Sequence, residues 1–202
     1  MARKWSNLNL PGALHYVTGN VVNRIKIFNE DQCAIAFLKT LKELLEKWPC
    51  KLITYVLMPD HFHLIVNPID GEIQQFSGAL KSLTARELIT LTGGEMFLRS
   101  EPDDDGSIHQ VWQESFKVIA LWSQWMIWQK INYIHANPVR ARLVKSTRDY
   151  PWAGFRDFFS ETKEPLEVDH DWWWPDDVEK LHAEMRRRGW QSYHRRLSPS
   201  ES

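Results

Sequence analysis

The segment Tyr55-Val-Leu-Met-Pro-Asp-His61-Phe62-His63-Leu-Ile-Val66 constrains this chain more than any other. Runs of β-branched and apolar residues lie on either side of a Met58-Pro59-Asp60 break. They predict two strands, Lys51–Leu57 and His61–Asn67, joined as a hairpin. Side chains alternate across a strand, so His61 and His63 share one face while Phe62, Leu64 and Val66 take the other. A two-residue step of about 6–7 Å lets two imidazoles converge on one divalent ion while the apolar partners enter a core. The plainer alternative is a pair of half-exposed strand histidines satisfied by water or backbone.

The rest of the chain supplies partners for that hairpin. After an extended arm over residues 1–12, Ala13–Val22 reads as a first strand. A helix over Glu30–Trp48 follows from Cys33, Phe37, Leu41, Leu44 and Trp48 at three- and four-residue steps, with Pro49 stopping it. A second helix spans Gly71–Thr92 (Phe76, Leu80, Leu83, Leu88) and ends at Gly93-Gly94. Met96–Gln110 reads as a loop, acidic at Glu101-Pro-Asp-Asp-Asp105. Ser123 is placed to cap a third helix that runs to Ala136, where Asn137-Pro138 opposes continuation. Val139–Val144 reads as a final strand, Trp152–Phe159 as a short aromatic segment and Asp176–Trp190 as a charged helix. This order suits an α+β fold, an antiparallel sheet with helices packed on it. The expected division is one domain over residues 1–160 and a C-terminal helical extension over 161–202.

Composition narrows the function classes. No run approaches the ~18 apolar residues of a membrane span, and the N-terminus lacks an apolar signal core, so a cytoplasmic protein with no membrane partner is expected. Cys33 and Cys50 make neither a disulfide framework nor a zinc cluster and are expected to be buried small apolar residues. A formal net charge of −1 excludes a uniformly basic coat, but Arg140, Arg142, Lys145 and Arg148 cluster, as do Arg186–Arg188 and Arg195-Arg196. Such clusters suit a limited nucleic-acid footprint, and equally suit plain solvated surface. Of the eleven tryptophans, most must be packing residues, and a few can stack on unpaired bases. Trp172-Trp-Trp174 reads as a cap over the core.

On the third helix, Ile127, Ile131 and Ile134 form an apolar stripe, and Tyr133 and Asn137 lie about 100° round from it, one turn apart, beside Gln129. Paired imidazoles, a phenol and an amide together suit phosphodiester transesterification. An ion held by two neutral imidazoles and an amide oxygen polarises the phosphate, and the phenol attacks it. Tyr133 alone is ordinarily a packing tyrosine. His135 has the wrong phase to join Tyr133 and is expected to be structural or DNA-facing. His109, His170, His182 and His194 lack ligand spacing and read as surface residues.

Tyr55–Val66 together with Tyr133-Ile-His-Ala-Asn-Pro-Val-Arg-Ala-Arg-Leu-Val144 resembles the REP-associated tyrosine transposases, within the wider single-tyrosine His-hydrophobic-His nucleases of insertion sequences. Val111-Trp-Gln113 and Tyr150-Pro-Trp152 extend the resemblance, which runs from about Ala13 to Phe159. It implies a ferredoxin-like antiparallel sheet flanked by helices. It implies His61 and His63 as ligands of Mg²⁺ or Mn²⁺, Asn137 at the third-ligand position and Tyr133 as nucleophile. The implied substrate is single-stranded DNA folded into palindromic hairpins in the bacterial nucleoid, cut to leave a 5′-phosphotyrosine. Arg140, Arg142 and Lys145 are the expected phosphate contacts. Two alternatives stand beside this reading: a non-catalytic DNA-binding protein that has kept the fold, and a phosphodiesterase that uses water. Whether the protein acts as a monomer or a dimer is open at this level.

Overall fold

Two strand–helix–strand units interleave to make the sheet. The computed structural model describes residues 13–159, apart from 103, 105, 115 and 122, together with 165–170. The elements run β1 (Leu14–Asn20), α1 (Asp31–Lys47), β2 (Cys50–Met58), β3 (His61–Pro68), α2 (Ile73–Thr92), β4 (Lys117–Leu121), α3 (Gln124–Arg140) and the short α4 (Phe155–Phe158). Sheet order is β2-β3-β1-β4, every neighbouring pair antiparallel. This is the ferredoxin-like α+β arrangement. Each crossover helix carries the chain past one intervening strand, and the β2–β3 hairpin turns at Pro59-Asp60, with Met58 opposite His61.

The pleat sorts the two faces. Val17, Tyr55, Leu57, Phe62, Leu64 and Val66 join α1 and α2 in one core, with Phe37, Phe76, Leu80 and Trp112. Leu14, Tyr16, Val56, Met58 and Ile65 join the Ile127, Ile131 and Ile134 stripe of α3 in another. Gly19 is needed in β1 because a Cβ there would collide with the Phe116 ring and lie 2.8 Å from Phe62. Leu166 and Val168 belong to the first core, and Asp169 closes on β2 by accepting from Leu52 N at 2.7 Å. Cys33 and Cys50 are buried and free, as expected.

Two local expectations fail. The fourth strand is Lys117–Leu121, paired with β1, and Val139–Val144 is not a strand. Helix α3 also does not stop at Ala136; it carries Pro138 inside it and runs to Arg140. A proline in the last turn removes one N–H only, and the turn is closed behind it: Leu143 N donates to Pro138 O and Arg142 N to Val139 O, both at 2.9 Å. Val-Arg-Ala-Arg-Leu-Val alternates like an edge strand, but it is the end of a helix and its terminating turn. The N-terminal arm, the Trp172–Trp174 cap and the Asp176–Trp190 helix lie outside the described residues.

Candidate active site

Both histidines face α3. His63 pairs with Thr18 and Val56 in the neighbouring strands, and His61 with Asn20 and Met58. Their rings lie 4.8 Å apart between centroids. His63 is buried, and its Nδ1 is 2.7 Å from the Tyr16 hydroxyl. Its Nε2 is buried with no hydrogen-bond partner. The Nδ1 of His61 is 2.5 Å from Oδ1 of Asp60, whose Oδ2 lies 3.5 Å from Arg24. Arg24 in turn donates to Asn20 Oδ1, and Asn20 Nδ2 to Gln113 Oε1. The Asp60 carboxylate only accepts, so it selects the His61 tautomer that leaves Nε2 with its lone pair, and the Tyr16 hydroxyl is able to accept from His63 Nδ1 in the same orientation, the one shared by metal-binding imidazoles. Burial, then the neighbouring His61, Lys130 and Arg24, pushes the His63 pKa down to about 3, so the ring is neutral at physiological pH.

Across from the strand, the Tyr133 ring meets His63 at 5.2 Å between centroids. Ser123 caps α3 by accepting from Met126 N at 3.1 Å, and the isoleucine stripe seats the helix on the sheet. Tyr133 is 37% exposed, whereas Tyr16, Tyr55 and Tyr150 are all buried. The Tyr16 hydroxyl serves His63, and that of Tyr150 donates to Leu57 O. Among the described tyrosines only Tyr133 presents its side chain to solvent beside the histidines. One turn further on, Asn137 is partly buried and its Nδ2 has no partner. Lys130 lies over both phenols, 4.6 Å from the Tyr16 centroid and 5.6 Å from that of Tyr133. Burial and then Lys117 lower its pKa.

No group of three or more His, Cys, Asp or Glu side chains able to hold a metal occurs among the described residues. A divalent ion at His61 and His63 therefore needs a ligand of another type, and the carbonyl oxygen of the Asn137 amide is chemically suitable. Of the three basic residues expected to contact phosphate, Arg140 reaches the site, 6.0 Å from the Tyr133 ring centroid. Arg142 and Lys145 are exposed beyond the helix end. His135 is buried, 2.8 Å from the Thr54 hydroxyl and packed against Phe155 and Phe158, so it is structural. His170 lies 3.4 Å from Asp157.

Sequence reasoning missed Tyr16, Asp60, Arg24 and Lys130. Asp60 was visible as the residue before His61, and Lys130 as one turn before Tyr133. Tyr16 needed the β1–β3 register, which no local pattern reveals.

The family model for IS200-like transposases matches residues 13–137, more than half of the chain, and the chain belongs to that family. Among solved structures, it is similar to a REP-associated tyrosine transposase bound to a REP hairpin, with 19% identity, TM-score 0.60, and 87% of this chain and 92% of that one covered. It is also similar to a transposase from Deinococcus radiodurans R1, with 18% identity, TM-score 0.45, and 66% and 95% covered. No curated protein matches the sequence. No helix among the described residues is long and apolar enough to cross a membrane.

Proposed function

We propose that this transposase cuts and rejoins single-stranded DNA at hairpins through a covalent link to Tyr133. The observation that carries the reading is the Tyr133 ring 5.2 Å from His63, whose buried Nε2 has no partner. The Tyr133 oxygen attacks phosphorus as the phenol proton leaves. The bond from phosphorus to the 3′ oxygen breaks, that oxygen leaves as a protonated hydroxyl, and a 5′-phosphotyrosine remains. Attack by a free 3′-hydroxyl reverses the step without an external energy source. His61, His63 and Asn137 would hold a divalent ion, Mg²⁺ or Mn²⁺, which when bound polarises the phosphate. Asp60 and Tyr16 keep both imidazoles turned toward it, and Arg140 holds phosphate beside the phenol. A hairpin substrate is supported by the fold likeness to a transposase solved with a REP hairpin. Arg142 and Lys145, exposed beyond the helix end, would meet phosphates further along.

The test incubates the protein with hairpin DNA carrying single-stranded flanks and Mg²⁺ or Mn²⁺. A denaturing gel should show a protein–DNA adduct that is absent from Tyr133→Phe, with the nucleotide on Tyr133 by mass spectrometry. Cleavage without an adduct would instead identify a water-using phosphodiesterase. Binding without cleavage would identify a DNA-binding protein that has kept the fold.

A further inference from the structure

We propose that the groove along the outer side of α3 binds unpaired DNA bases next to the scissile phosphate, stacked on Trp125 and Trp128. The inference rests on the reading of Tyr133 above and names what lies beside it. The groove measures about 590 Å³, and Tyr133 and Arg140 line it together with the two indoles. Trp125 is 57% exposed and Trp128 is 50% exposed, whereas Trp112 is buried in the first core with its Nε1 on the Thr84 hydroxyl. The helix buries Ile127, Ile131 and Ile134 against the sheet, so the two tryptophans stand off the stripe that holds α3 in place.

The chemistry of the walls selects the occupant. Among the described residues no carboxylate lines the groove, and the charged ones that do are the cations Lys130 and Arg140. Gln129 and Asn132 add amides that can reach base edges. Cations alternating with exposed indoles suit a polyanion that also offers flat aromatic faces. Unpaired nucleotides offer both, whereas a duplex hides its base faces. Trp128 is braced by Phe158, centroids 6.4 Å apart at 88°, so part of the ordering cost of a stack is met before binding. Along the helix, Trp125 and Trp128 precede Tyr133 by about 12 and 8 Å at 1.5 Å per residue. Bases seated there belong to the strand that passes the nucleophile.

Binding is measured by fluorescence anisotropy in a Tyr133→Phe background, which blocks cleavage. The probes are labelled oligothymidine and an abasic strand of equal length, which keeps the phosphates and lacks the bases. A stacked base contributes about 1–3 kcal/mol, so oligothymidine should bind at least about fivefold more tightly than the abasic strand. Trp125→Ala and Trp128→Ala should each shrink that preference and leave abasic binding unchanged, and Trp128→Phe should retain it. The thermal melt of Trp125→Ala should match the parent, and Trp128→Phe controls for the packing on Phe158 that Trp128→Ala removes. Equal preference in parent and variants overturns the proposal. So does a dimer in sedimentation that Trp125→Ala dissociates, because a second copy would then cover the groove. An adduct on Tyr133 with tryptophan-independent binding sinks the groove alone. Tryptophan-dependent base binding with no adduct on any DNA sinks the catalytic reading alone.

Discussion

Phe62 and His63 are neighbours on one strand, yet they stand in two different solvents. Phe62 faces the α1/α2 side, among Phe37, Trp112 and Phe116 at ring distances of 4.9–5.4 Å. That side behaves as an ordinary core. His63 faces α3, where the second core gives way at one end to Tyr16, Thr18, Lys130 and Asn137. His63 Nε2 and Asn137 Nδ2 are buried there with no protein partner. The α1/α2 face is an aromatic-rich apolar core, and the α3 face joins an apolar core to a polar cluster around His63. The helix ends repeat the contrast. Helix α2 stops at Gly93 with φ 74°, whereas α3 passes into Arg142 with φ 58°, a conformation that disfavours a side chain.

Substitution at this pair of neighbours tests the contrast most severely. His63→Ala should abolish the DNA adduct with a modest loss of stability, while Phe62→Ala should cost about 3–5 kcal/mol in urea unfolding. If His63→Ala unfolds as readily as Phe62→Ala, the α3 face is only a second core.

Acid should act through the α3 face next. Burial holds the His135 pKa down to about 4, below the usual 6.5, so the folded state prefers the neutral ring. The stability this gives is complete above pH 6.5 and is lost as pH falls toward 4, by up to about 3 kcal/mol for a depression of about 2.5 (6.5 − 4). His135→Phe should flatten that stretch of the pH–stability curve. An unchanged slope assigns the acid sensitivity elsewhere.

Removing a single hydroxyl sharpens the comparison further. Tyr16→Phe frees the His63 ring and should weaken divalent-metal affinity about 10–100-fold in calorimetric titration, with excess metal restoring the adduct. Unchanged affinity would reduce Tyr16 to packing. The smallest effect is expected at the helix end. Arg142→Gly should relieve about 1 kcal/mol of backbone strain while flattening the salt dependence of single-strand binding by about 0.7 in the log–log slope. A steeper or unchanged slope would remove Arg142 from the DNA path.

The periods of the sequence were enough for the helices α1, α2 and α3 and for the β2–β3 hairpin, because each is specified by contacts within a few residues. Strict alternation at His61-Phe62-His63 placed both imidazoles on one face with no knowledge of what lies opposite. One-turn spacing likewise put Tyr133 and Asn137 together off the isoleucine stripe. The edge strand was not legible: Lys117–Leu121 is short, and its partner β1 lies about a hundred residues earlier. Val139–Val144 imitated a strand because the closing hydrogen bonds of α3, which decide the matter, are formed after Pro138 by backbone geometry. Only the tertiary structure showed that Tyr16 serves His63, that Lys130 spans two phenols and that two of the eleven tryptophans line a groove with Tyr133. Those relations join β1, β3 and α3 across the sheet, and local periodicity carries no information about residues that meet only when the chain closes on itself.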